Sequence, residues 1–191
     1  MATVETAFEQ VITPVTHDLG DFKVNRTLPS RERTMVGPFI FVDEFGPARL
    51  PAGRGMDVRP HPHINLATVT YLFEGAIEHR DSIGSRAVIE PGAINLMTAG
   101  SGIVHSERSP QHLRATGPSL YGMQTWLALP DGQEEIAPAF DHVAADNLPA
   151  IVKIVQDYFA TKTRAAAEKY FWKNSVAAYK WVKRDPSQPQ L

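Results

Sequence analysis

The sequence predicts an all-β barrel or sandwich over residues 1–149 and a helical tail over 150–191, and three observations carry that prediction. Turn-forming residues recur every few positions in the first segment. Short runs of β-branched and aromatic residues lie between them, too short for helices and well suited to a pleated surface. Near Pro149 both proline usage and charge change character: residues 1–149 hold 11 basic and 18 acidic side chains, a net of −7, whereas 150–191 hold 8 and 3, a net of +5, with no proline until Pro186.

Taken in order, Gly37-Pro38 precedes a strand at Phe39–Val42, and Gly46-Pro47 reads as the turn that closes it. A strand at Thr68–Phe73 follows, then a turn at Asp81-Ser82-Ile83-Gly84 and a strand at Ala87–Ile89. Pro91-Gly92 turns into Ile94–Met97, and Gly117-Pro118 leads to Met123–Leu129, which Pro130-Asp131-Gly132 ends. No long 3.6-residue stripe interrupts them, so several short strands between turns imply a sandwich or barrel. The tail differs. Ala165-Ala166-Ala167-Glu168-Lys169 is strong helix-forming sequence, Lys180, Lys183 and Arg184 favour a helix C-terminus, and Asp185-Pro186 stops it. Ile151–Phe159 fits a helix or one more strand. Tyr170, Phe171, Trp172, Tyr179 and Trp181 spread around much of the helix circumference. A helix apolar on several faces packs against a barrel or builds a homodimer with a second copy.

Composition excludes several function classes. A net charge of −2 is wrong for bulk polyanion binding and gives no direct nucleic-acid signal. No run approaches the ~18 apolar residues of a membrane span. The N-terminus lacks a basic start and apolar stretch, so a cytoplasmic protein is the default expectation. With no cysteine, neither a disulfide nor a thiolate ligand is available, and any metal must be held by His, Asp and Glu. Gly100-Ser101-Gly102 lacks the Lys-Ser/Thr of a phosphate loop, and no Ser-His-Asp arrangement is signalled.

Seven histidines remain, and two groups stand out. His61-Pro62-His63 is an i, i+2 pair ahead of a strand; in extended chain both imidazoles share a face. His105-Ser106-Glu107 repeats the geometry with a carboxylate as second member. Two such pairs facing each other inside a barrel would supply three imidazoles and one carboxylate, a set that suits iron, manganese, nickel, copper or zinc. The bland alternative is two unconnected surface pairs. His79, followed by Arg80-Asp81-Ser82, reads as a surface or turn-stabilising residue, and His17, His112 and His142 as solvated residues of polar loops. Gln124 and Trp126 share one strand face and would line a pocket, or Trp126 is simply core. Asp43-Glu44 reads as a turn or salt-bridge pair.

Glycine placement narrows the choice. Gly55 lies six residues before His61, Gly75 closes the strand after His63, and Gly92 opens the run to Gly100 that leads to His105. This resembles the two-part cupin signature, with departures: the usual cupin Glu would fall near Ala67 or Thr68, Thr98 stands where proline is common, and two extra residues precede the second-segment His. Arg33–Phe39 (RTMVGPF), His61–Gly75 (HPHINLATVTYLFEG), His79–Ser82 (HRDS) and Met97–Arg108 (MTAGSGIVHSER) are similar to the pirin family, and the likeness runs from Val11 to Pro149. Asn65 departs from the family's common Gly, with the expectation that it narrows the mouth of the site.

The resemblance implies a cupin double-stranded β-helix barrel over 1–149. It implies one mononuclear metal ion, in first place Fe2+, on His61, His63, His105 and Glu107, with no organic cofactor. Two function classes follow from it: an iron-dependent quercetin (flavonol) 2,3-dioxygenase using O2, with Glu107 as the catalytic base, and a metal- or redox-dependent interaction module acting on a transcription regulator or other protein partner. A metal-binding relic without activity is the third. Pirins are normally bicupins, so the expectation is that the tail at 150–191 stands where a second barrel would begin.

Overall fold

A computed structural model of the chain describes residues 11–20 and 22–147; the expected helical tail at 150–191 lies outside the described residues. Among the described residues there are strands β1 (Val15–Asp18), β2 (Lys23–Leu28), β3 (Phe39–Arg49), β4 (Asp57–His63), β5 (Leu66–Gly75) and β6 (Ile77–Asp81). These are followed by β7 (Arg86–Ile89), β8 (Ile94–Thr98), β9 (Ile103–Arg108), the short helix α1 (Gln111–Arg114), β10 (Ser119–Ala128) and β11 (Ala139–Val143). They form two sheets, one of order β1-β2-β3-β10-β5-β8-β11 and one of order β4-β9-β6-β7, with antiparallel pairing throughout. This is the all-β, double-stranded β-helix architecture that the sequence predicts. No helix among the described residues is long and apolar enough to cross a membrane.

Each predicted strand exists, and most are longer than the apolar runs that revealed them. Gly46-Pro47 is the exception among the turns: it lies inside β3, not at its end. Gly46 sits at φ +83° where the register between β3 and β10 slips, and a Cβ there would collide with the Leu120 carbonyl. The pair therefore marks a β-bulge, a place where one strand carries an extra residue and bends. Asp43-Glu44 is likewise strand, not turn. Asp43 takes a two-pronged hydrogen bond from Arg26 at 2.8 Å on each oxygen, and Glu44 accepts from the Tyr121 hydroxyl at 3.1 Å. The salt-bridge half of that reading stands and the turn half does not.

The inner faces change character at one level of the barrel. Along β6 the inward residues run Ile77, His79, Asp81; along β5, Leu72, Thr70, Thr68; along β10, Leu120, Gly122, Gln124, Trp126. The apolar ends meet in a core of Val24, Phe45, Leu50, Met56, Leu72, Ile77, Ile89, Ala93 and Leu120. Burial of these side chains is the main drive for closing the two sheets on each other. The polar ends leave a buried hydrophilic chamber above that core.

Asn65 occupies the turn between β4 and β5 with φ +62°, the one positive-φ residue other than glycine among the described residues. Its backbone N–H donates to the Gly100 carbonyl at 2.8 Å. A left-handed conformation is what glycine adopts freely and asparagine tolerates best among side-chain-bearing residues. The conformation demanded at this position thus accounts for an Asn where the pirin resemblance has Gly.

Candidate metal centre

The two histidine pairs do not face each other across the barrel. They stand on neighbouring strands of the four-stranded sheet, with His61 directly opposite His105 and His63 opposite Ile103. A register slip between Val58 and His61 makes this possible. Side chains alternate with a period of two, so without the extra residue His61 would point to the outer face. Val58 pairs with Glu107, and the bulge at Arg59-Pro60 then restores His61 and His63 to the face that carries His105 and Glu107.

The three imidazoles converge. One ring nitrogen from each of His61, His63 and His105 lies within 4.8 Å of the others, and ring centroids are 4.4–5.0 Å apart. His63 is 7% exposed and His105 2%. Nε2 of both is buried with no hydrogen-bond partner. Buried polar atoms are nearly always satisfied, so two converging imidazole nitrogens with no protein partner fit a cation held between them. The Arg59 carbonyl accepts from His61 Nδ1 at 2.9 Å, which leaves its Nε2 lone pair for the same cation. A set of imidazoles of this kind is compatible with a single transition-metal ion.

Glu107 stands outside that group of three. It lies two residues beyond His105 on β9, 8% exposed, and accepts from Gln124 Nε2 on β10 at 2.8 Å. Burial pushes its carboxyl up to about 7, against hydrogen bonds from Gln124 and Thr70 that pull it back. This contact and the edge-on packing of Trp126 against His63, at 4.8 Å, bind the two sheets together across the chamber. Gln124 and Trp126 therefore both line the site, as their shared strand face predicts. Gln124 Nε2 also donates to Thr70 Oγ1 at 3.1 Å, and Trp126 stacks on Phe41 at 4.1 Å. A largely apolar recess of about 360 Å³, lined by Pro62, His63, Ile64, Ser82, Gly102, Ile103 and Val104, opens beside His63.

His79 is not a surface residue. It is 3% exposed, stacked on Phe140 at 4.3 Å, and its Nδ1 lies 3.4 Å from His105 Nδ1. Its Nε2 lies 2.9 Å from Asp81 Oδ2. Sequence reading missed both residues because the adjoining turn suggested exposure. The signal was nonetheless present: His79-x-Asp81 has the same i, i+2 spacing as the two pairs that were recognised. Of the other histidines, His17 is exposed on β1, His112 on α1 and His142 on β11, so they belong to regular elements and not to loops. His142 Nδ1 also lies 2.7 Å from Asn95 Oδ1.

Burial holds the imidazoles neutral: His63 is lowered to about 4 and His105 to about 3, with the neighbouring imidazoles adding to the effect. In the unfolded chain both would protonate near 6.5. Their contribution to stability is therefore complete above 6.5 and is lost as pH falls toward 4, on the order of 1.4 kcal/mol per pH unit for each group. Glu107 acts in the opposite direction between 4.5 and about 7, because the folded state holds a proton that the unfolded chain releases. The expected result for chelator-treated protein is a net fall in urea midpoint between about pH 6.5 and about pH 4.5, shallower than two protons would give. A flat profile would show that these imidazoles are not buried as neutral groups.

Residues 21–127 match the pirin family. A pirin-like protein of Caulobacter vibrioides is 50% identical over 164 residues, which cover 85% of this chain and 56% of that protein. The crystal structure of quercetin 2,3-dioxygenase from Acinetobacter baumannii matches with a TM-score of 0.66 at 42% identity, over 71% of this chain and 44% of that one. The crystal structure of the bacterial pirin YhhW from Escherichia coli in complex with nickel(II) matches with a TM-score of 0.56 at 25% identity, over 68% and 53% of the two chains. This chain spans about half the length of the curated relatives it matches, or somewhat less.

Proposed function

This chain belongs to the pirin family, and on that premise we propose that His61, His63, His105 and Glu107 hold one mononuclear transition-metal ion, iron(II) in first place, at a flavonol 2,3-dioxygenase site. The observation that carries the reading is the pair of buried, unpartnered Nε2 atoms on His63 and His105, converging with His61. The name of the Acinetobacter relative supports quercetin and O2 as the substrates. The nickel complex of YhhW supports a ligand set that accepts more than one metal.

The bound ion would supply Lewis acidity and electron transfer toward O2. The chain's own residues divide the rest of the work. Trp126, backed by Phe41, presents an aromatic wall beside His63 against which a planar flavonol packs. Gln124 donates to Glu107 Oε1 and so fixes the carboxylate that takes the flavonol hydroxyl proton. A carboxylate tightly bound to a cation is too acidic for that task. The placement of Glu107 outside the imidazole group, on Gln124, supports a weak bond to the ion and a retained basicity.

The test is metal content by mass spectrometry on protein purified without added metal, followed by oxygen uptake with quercetin. One ion per chain and quercetin-dependent uptake by the iron-loaded protein are expected. A chain that takes up no metal on anaerobic loading overturns the reading. Full metal occupancy without uptake overturns the enzymatic part and moves the function to a metal-dependent interaction module.

A further inference from the structure

The inner face of the four-stranded sheet carries one more pair of polar residues than the metal site needs. β6 pairs with β9 so that Asp81 lies opposite His105 and His79 opposite Glu107. Asp81 is anchored from its own turn: the backbone N–H groups of Ile83 and Ser85 both donate to Oδ1, at 3.1 and 2.9 Å. Its Oδ2 is thereby presented to His79 Nε2 at 2.9 Å, and both side chains are buried, 0% and 4% exposed.

These contacts fix where the protons are. A carboxylate only accepts, so His79 carries its proton on Nε2. An imidazole with its one proton on Nε2 keeps a lone pair on Nδ1. That lone pair faces His105 Nδ1 at 3.4 Å, and the two nitrogens can share a hydrogen bond only if His105 donates. His105 Nε2 is then the unprotonated nitrogen, buried with no protein partner and with its lone pair available to a cation.

We propose that Asp81 and His79 form a hydrogen-bonded chain that sets the tautomer of His105, holding its proton on Nδ1 and aiming its Nε2 lone pair at the metal position. Both are positioning residues: they touch neither metal nor substrate and act through His105. The inference rests on the metal-site reading for its purpose, but the tautomer itself is a property of the metal-free chain.

The Asp81→Asn variant exposes the chain most directly. The N–H groups of Ile83 and Ser85 require an acceptor, so the amide oxygen takes the Oδ1 place and the amide nitrogen faces His79. His79 must then accept at Nε2 and donate from Nδ1, and His105 must accept at Nδ1 and carry its proton on Nε2, pointing into the site. Long-range 15N–1H NMR of the imidazoles in metal-free protein reads this. The expected result is His105 protonated on Nδ1 and His79 on Nε2 in the wild type, with both reversed in Asp81→Asn. Nickel(II) affinity, from competition with a chelator, is expected to fall by about 10- to 100-fold in that variant. His79→Phe, which keeps a ring against Phe140 and breaks the chain, is expected to lose a similar factor. Protonation of His105 on Nε2 in the wild type overturns the inference without any variant. So does unchanged nickel affinity with an unchanged tautomer in Asp81→Asn. A wild type that binds no nickel but shows the assigned tautomers refutes the functional reading and leaves the hydrogen-bonded chain standing.

Discussion

His105→Ala is expected to abolish metal binding while leaving the metal-free protein nearly as stable as the wild type. Two opposing terms give that balance. Deleting a fully buried ring leaves a cavity, and deletions of this size cost about 2–5 kcal/mol in an apolar core. The same deletion also removes a desolvated imidazole whose Nε2 has no partner, which returns about 1–3 kcal/mol. The loss of metal has no such offset. His105 is the third imidazole of the group and the one from β9, with His61 directly across the ladder at 4.4 Å and His63 at 5.0 Å between ring centroids. Without it the site keeps the two imidazoles of β4 and the Glu107 carboxylate. The drop in affinity is expected to exceed the ~10- to 100-fold that loss of an outer-sphere partner costs.

Thermal unfolding with and without metal measures both halves together. A ligand that binds only the folded state stabilises by RT ln(1 + [L]/Kd), about 4 kcal/mol at a thousandfold excess over Kd. Wild type should therefore show a metal-dependent rise in Tm, and His105→Ala should show none at the same concentration. Two outcomes contradict this. A shift that persists in the variant places the ion elsewhere. A variant destabilised by several kcal/mol, beside a wild type with no shift, makes His105 an ordinary core histidine.

The strand order of the barrel was not legible in the sequence, whereas the site residues largely were, and the reason is physical. Apolar runs reveal strands that bury side chains on the closed end of the barrel, such as β5 and β8. Strands that carry the chamber's polar wall have no such run: β4 reads Asp-Val-Arg-Pro-His-Pro-His and β9 Ile-Val-His-Ser-Glu-Arg. The same i, i+2 spacing that hides them as hydrophobic strands marks them as ligand-bearing ones. Sharing a face followed from extended geometry alone. That the two pairs are neighbours in one sheet did not, because the bulge at Arg59-Pro60 is a one-residue register slip whose outcome depends on long-range pairing. Gly46-Pro47 misled for the same reason: bulge and turn share a composition. The bland reading of His79 failed because exposure was inferred from the turn that follows, although the residue itself faces the interior two positions earlier.

Glu107→Gln is expected to lower turnover of the iron-loaded protein by about 10²- to 10⁴-fold, the usual worth of a general base. The substitution is nearly isosteric, and the new carbonyl oxygen can accept from Gln124 as the carboxylate does at 2.8 Å. What it cannot do is take a proton. Three imidazoles remain, so most of the metal should be retained, and a kcat loss larger than the metal loss separates a base from a mere ligand. A second readout needs no substrate. In metal-free protein the carboxyl is held up to about 7 by burial, above its ordinary 4.5, so the folded state favours the protonated form. That preference is fully present below 4.5 and is lost as pH rises through 7, where an ionised Glu107 must be kept away from water. Gln has no such penalty. Urea midpoints of the two metal-free proteins should thus draw together or cross as pH rises, with the variant gaining relative to the wild type between about pH 5 and about pH 8. Parallel midpoints would mean that Glu107 is ionised throughout and solvated. Unchanged turnover would remove the proposed base role outright.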